Sequence, residues 1–113
     1  MKENHPLSFQ TLDAYIAAKE LARRVHTSKI SDSELRDQAT RAAKSTFLGL
    51  CEGLPNTSVA MRQKYFQMAQ NSLYEALGAM DLAAAIGAVQ VEDAEAVQAL
   101  GVRLMHMMRG LLH

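Results

Sequence analysis

Gln38, Arg41, Ser72 and Glu75 are the residues best placed to do chemistry, being polar groups set at helical spacing among small apolar neighbours. The first two lie in the run Gln38-Ala39-Thr40-Arg41-Ala42-Ala43-Lys44-Ser45, and Leu50-Cys51-Glu52-Gly53 follows it closely. The second two lie in Tyr65-Phe66-Gln67-Met68-Ala69-Gln70-Asn71-Ser72-Leu73-Tyr74-Glu75. Suppose the two runs are helices folded back about a turn near residue 55 or 56. Equal heights then pair residues whose numbers sum to about 111. Gln38 falls opposite Leu73 and Arg41 opposite Gln70, with Ser72 and Glu75 within about a turn. The expectation is a structural polar cluster, with Arg41 paired to Glu75, both largely buried, and Gln38 and Ser72 completing hydrogen bonds. Such a cluster fixes register more than it adds stability.

Catalytic chemistries find fewer residues. A di-iron carboxylate bundle needs Glu-x-x-His motifs on two helices, and the chain has none. His106 is the one histidine well inside a helical segment, and His26 sits near an end; neither reads as a ligand. Cys51 has no histidine near it in sequence, and Ser45 and Ser72 have no adjacent base. Gly49 and Gly53 lie in or at the end of a helix, not in a phosphate-binding loop. No catalytic residue, metal site or cofactor is therefore expected. Cys51, the single cysteine, cannot form an internal disulfide and reads as a buried, inert thiol.

These residues require helices to hold them. Leu12, Tyr15, Ile16, Ala18, Leu21, Ala22 and Val25 recur at spacings of three and four, predicting a helix over 8–27 capped by Ser8 or Thr11. Ser31 with Glu34 fits a capping box for a second helix over 32–53. Its apolar stripe is Leu35, Ala39, Ala42, Ala43, Thr46, Phe47, Leu50 and Leu54. Gly53 suits a left-handed cap, and Pro55 cannot continue the ladder. A third helix over 57–86, capped by Thr57 or Ser58, carries Met61, Tyr65, Met68, Ser72, Leu73, Ala76, Leu77, Met80 and Ala84 inward and ends near Gly87. The fourth, over 91–112, opens on Glu92, Asp93 and Glu95, acids that suit a positive helix N-terminus. Short links make neighbours antiparallel. The prediction is one all-α domain over 1–113, an antiparallel up-down-up-down four-helix bundle.

Charge narrows the partners. Lys plus Arg and Asp plus Glu number 12 each, so no polyanion binder's basic excess exists, and nothing opposes self-association electrostatically. Lys19, Arg23, Arg24 and Lys29 form a local basic excess that reads first as a solvated helix surface. Lys19, Arg23, Arg24 and Arg41 remain the candidate nucleic-acid contacts. No run reaches the ~18 apolar residues of a membrane span. Met1 to Pro6 is polar, without the apolar core of a signal peptide. A cytoplasmic location is expected.

The two runs also resemble a bacterial family of four-helix-bundle proteins, related to those encoded by intervening sequences in large-subunit ribosomal RNA genes. Its second helix reads Gln-x-x-Arg-Ala-Ala-x-Ser-Ile-Pro-x-Asn-Ile-Ala-Glu-Gly, which Gln38, Arg41, Ala42, Ala43, Ser45, Glu52 and Gly53 match in order and spacing. Phe47 stands at the family's Pro and Gly49 at its Asn. Tyr65, Phe66, Met68, Ala69, Ser72 and Glu75 fit the third-helix frame Phe-Leu-x-Ile-Ala-x-Gly-Ser-x-x-Glu. Leu12, Tyr15, Ala18 and Leu21 follow Leu-x-x-Trp-x-x-Ala-x-x-Leu with Tyr for Trp. The resemblance implies a closed ring, commonly a homopentamer, of unassigned role. A relative, the accessory protein of diversity-generating retroelements, is strongly basic and works with RNA. Two expectations follow: a non-enzymatic self-assembling scaffold, or an RNA-binding accessory.

Overall fold

The computed structural model describes residues 12–111. Over them the chain forms four helices: α1 (Asp13–Thr27), α2 (Ser33–Gly53), α3 (Val59–Ala85) and α4 (Val91–Leu111). The expected caps Ser8 and Thr11, and Leu112, lie outside the described residues.

Side-chain neighbours order the helices. Gly49 packs on Ala69 and Gly53 on Phe66, while Gln38 reaches Glu75. As α2 numbers fall, α3 numbers rise, so the two run antiparallel. Gly101 abuts Leu77 and Gln70 reaches Met105, which sets α4 antiparallel to α3. Tyr15 meets Phe47 with ring centroids 5.1 Å apart. Lys19 and Thr27 share a cleft with Lys44 and Thr40. Ile16 shares another with Met107, while Arg24 lies near Asp93. Each helix thus packs on its chain neighbours, and α1 also packs on α4. At one end two connections tie together, the Ser31 amide donating to the Ala88 carbonyl at 2.8 Å.

The α2–α3 contact is the close one, and small residues make it so. Ala39, Ala42, Ala43, Gly49 and Gly53 face Phe66, Ala69, Leu73 and Ala76, all buried. A Cβ added to Gly49 would stand 2.9 Å from the Ala69 Cβ. The larger core groups Leu21, Leu50, Met80, Leu104 and Met108 are fully buried. Buried Thr46 donates its hydroxyl to the Ala42 carbonyl at 2.9 Å, so it leaves no unmet polar atom.

Several local expectations are corrected. Asp32, not Ser31, caps α2: its carboxylate accepts from the Leu35 amide at 2.9 Å. Ser31 instead serves the Ala88 carbonyl, because the two connections meet there. Ser58, one of the two caps expected for α3, accepts from the Met61 amide. Gly53 is not left-handed; it is the last helical residue, buried where the Phe66 ring leaves no room for a Cβ. The left-handed glycine is Gly87, with φ 75°.

The first half of α3 is rotated from the expected stripe. Phe66 and Ala69 point inward, whereas Met61 and Met68 are 37% and 52% exposed. Both phases are apolar there, and only the inward one fits against the glycines of α2. The register also differs from the height estimate. Gly49 lies level with the Tyr65–Ala69 turn because the first turn of α3 continues past the end of α2, leaving Val59 exposed.

Candidate functional site

The polar residues of α2 and α3 lie on the outside of the bundle. Buried positions on α2 run Ala39, Ala42, Thr46, Gly49 and Gly53. One residue behind them, at the same alternating spacing, run Gln38, Arg41, Ser45, Leu48 and Glu52, all exposed. A helix turns by about 100° per residue, so a one-residue offset moves a stripe from the core to its flank. On α3 the matching flank reads Met61, Tyr65, Met68, Ser72, Glu75 and Leu82, with Ile86 just past the helix end and Ala79, at the same spacing, buried. The two flanks adjoin and make one continuous outward face.

At its centre is a shallow recess of about 260 Å³, lined by Ser45, Leu48, Gly49, Glu52, Tyr65, Met68 and Ser72. Leu48 is 55% exposed, and Leu82 and Ile86, beyond Ser72 and Glu75, are a second exposed apolar pair on this side. Glu52 lines it, and Arg41 and Glu75 lie about a turn beyond Ser45 and Ser72 on the same flanks.

The expected buried ion pair does not form. Arg41 and Glu75 are both exposed, and among the described residues no ion pair joins them. Arg41 turns back along its own helix, its Nε donating to the Asp37 carbonyl at 3.3 Å. Gln38 Nε2 reaches Glu75 Oε2 at a long 3.4 Å, and Ser72 is half-buried beside the recess. Close packing of the alanines leaves no interior volume between the helices for an Arg and a Glu, so the charges stay outside. Ser45, Leu48, Glu52, Tyr65 and Met68 belong to the same face, and the sequence held the signal: a second three-four stripe, offset from the first.

The candidate nucleic-acid residues part company. Lys19 and Arg23 line a cleft of about 370 Å³ between α1 and α2, together with Ala22, His26, Thr27, Thr40 and Lys44. Lys19 Nζ sits 5.1 Å above the Tyr15 ring centroid, a cation–π contact. Arg24 turns toward α4 and Asp93. Arg41 lies on the α2–α3 face. Glu20 holds Arg23 at 2.6 Å and Arg24 at 3.3 Å. The hydrogen bond and charge of Arg23 hold the Glu20 carboxyl below its usual range and raise the Arg23 guanidinium. Two of the four cations thus share one carboxylate, and Lys44 joins Lys19 and Arg23 in the cleft.

Cys51 is half-buried, not fully enclosed. Burial pushes its thiol up, the Glu52 carboxylate adds to this, and Lys19 opposes it. That is the reverse of an activated nucleophile. His26 and His106 are exposed. No group of three or more potential metal ligands exists among the described residues, and no described helix is long and apolar enough to cross a membrane.

The model of one protein family, described as 23S rRNA-intervening sequence protein, matches residues 10–110. No curated protein matches the chain. The chain belongs to the 23S rRNA-intervening sequence protein family.

Proposed function

We propose that this member of the 23S rRNA-intervening sequence protein family is a non-enzymatic, self-assembling helical-bundle scaffold of the bacterial cytoplasm. The observation that carries the reading is the outward α2–α3 face. Leu48, Met68, Leu82 and Ile86, each more than half exposed, stand along one side of the protomer, the first two separated from the last two by Ser72 and Glu75. Large apolar side chains gathered on one face and rimmed by polar groups mark an interaction surface. The polar letters of the family motif stand on this face, while its small letters pack the bundle. The resemblance supplies the ring and its number, a homopentamer. Zero net charge removes a barrier to crowding copies together. Light scattering on the purified chain at micromolar concentration tests this: a pentamer mass is expected, and a stable monomer refutes it.

A second reading, an RNA-binding accessory, is favoured by the α1–α2 cleft, where Lys19, His26 and Lys44 stand among aliphatic stems and hydroxyls. Its test is a salt series. Binding through phosphates weakens steeply as salt rises, and Lys19→Ala with Lys44→Ala would remove it. Absence of salt-dependent binding to any RNA discards this reading.

A further inference from the structure

We propose that copies of this chain join head to tail, the α2–α3 face of one seated on the α1–α2 face of the next. The proposal rests on the self-assembly reading above and names the surfaces that carry it.

Charge complementarity selects the partner surface. Around its apolar residues the α2–α3 face carries Glu34, Glu52 and Glu75 with the two cations Arg41 and Lys64, all exposed. The surface that receives it must supply cations beside apolar area. The α1–α2 face does: Lys19 and Lys44 project from its cleft, no carboxylate among the described residues pairs with either, and His26 stands beside them. Ala22 in the cleft and the half-buried Phe47, packed on Tyr15, give that face its apolar surface. The α1–α4 cleft is lined by Asp13 and Glu20 with only Arg103 as a cation, so it would set carboxylates against carboxylates. An α2–α3 face meeting its own copy would set its three carboxylates against three more, with Arg41 and Lys64 as its cations.

Geometry agrees with a closed assembly. The two faces share α2 and are therefore adjacent sides of the bundle, about a right angle apart. A head-to-tail contact between adjacent sides turns the chain of copies by a similar angle at each step, and closes after about four or five copies. A contact between opposite sides, α2–α3 on α1–α4, would propagate as an open filament.

Two variants, each spoiled on one face, test it. Lys19→Glu with Lys44→Glu spoils the α1–α2 face; Leu48→Glu with Met68→Glu spoils the other. All four positions are exposed, and far-UV circular dichroism matching the wild type verifies folding. Each variant alone should be monomeric by light scattering, its assembly weakened more than about thirtyfold. Mixed, the two retain one good contact between them and should form a one-to-one dimer that grows no further. Adding Glu52→Lys and Glu75→Lys to the Lys19→Glu, Lys44→Glu chain should restore its assembly. Homodimerisation of the Lys19→Glu, Lys44→Glu variant alone would overturn the proposal in favour of a self-facing contact. A mixture that stays monomeric, or lysine variants that assemble as the wild type does, would also overturn it while leaving self-assembly standing. A monomeric wild type would instead remove the reading beneath it.

Discussion

Gly49→Ala should destabilise the bundle although it improves the local helix. In an exposed helical position, glycine to alanine gains roughly 0.5–1 kcal/mol. At Gly49 the new methyl would meet the Ala69 Cβ at 2.9 Å, the Ala69 Cα at 3.3 Å and the Tyr65 carbonyl at 3.3 Å. None of these is the tip of a flexible side chain, so relief requires α2 and α3 to move apart along their closest contact. Overpacking of this kind costs about 1–3 kcal/mol. The net change is a loss of up to about 2 kcal/mol, partly masked by the propensity gain. Gly78→Ala supplies the reference. It lies in α3 with nothing within 4 Å of the added methyl, so only the gain remains. The two variants should differ by about 1–3 kcal/mol, or roughly 4–20 °C in Tm. Thermal melts by circular dichroism decide it, run at one fixed protomer concentration because assembly shifts apparent stability. If Gly49→Ala gains as much as Gly78→Ala, close α2–α3 contact does not set the bundle's geometry, and the account of its small residues is wrong.

Other substitutions probe the remaining assignments. Phe66→Ala removes a fully buried ring and should cost about 3–5 kcal/mol in urea denaturation; an outward Phe66 would lose far less. Asp32→Ala should cost about 0.5–2 kcal/mol as a lost cap, with Ser31→Ala costing less, and the reverse order would reinstate the serine cap. The Glu20 carboxyl should titrate below the ordinary range by NMR and move up in Arg23→Ala. Because its folded pKa is lowered, its contribution to stability is present above the ordinary carboxylate range and fades as pH falls through the folded value. The Cys51 thiol should alkylate slowly near neutral pH, with a raised midpoint that Glu52→Gln lowers. A raised thiol pKa leaves stability unchanged at neutral pH and lowers it above the ordinary thiol range, where the unfolded chain ionises first.

Helix number, order and approximate ends were legible because punctuation is strong here: Pro55, Gly87 and the acids at the start of α4 stand where the structure breaks or begins. The α2 stripe was legible too, since Ala39, Ala42, Ala43, Thr46 and Leu50 recur at spacings of three and four, and Gln38, Thr40, Arg41, Lys44 and Ser45 separate most of them. The α3 stripe was not. Tyr65 and Phe66, Met68 and Ala69, Ser72 and Leu73 offer two phases of similar apolarity, and spacing alone weighs them equally. What separates them is the size of the surface opposite. Gly49 and Gly53 admit Phe66 and Ala69 at close range, and Met61 and Met68 are left outside. That information lies in α2, not in α3, and becomes readable only once the two are paired.

The same pairing decides where the charges go. Arg41 and Glu75 sit at similar heights on adjoining helices, which on distance alone would favour contact. Yet burying either ion without a well-formed partner costs several kcal/mol, and an alanine-lined contact has no cavity in which both could be satisfied. Facing outward, each keeps its water. If this is right, Arg41→Ala and Glu75→Ala should each change monomer stability by less than about 0.5 kcal/mol. Together they should add to within about 0.3–0.5 kcal/mol, whereas a buried pair would lose about 3–5 kcal/mol on removal of one partner. In the head-to-tail assembly proposed above the response should differ, because Glu75 would there face the neighbour's cations. Urea melts of the monomeric Leu48→Glu, Met68→Glu background isolate the first effect. Dissociation constants on the otherwise unaltered chain measure the second. Coupling between Arg41 and Glu75 within the monomer would return the pair to the interior and remove the outward face from the argument.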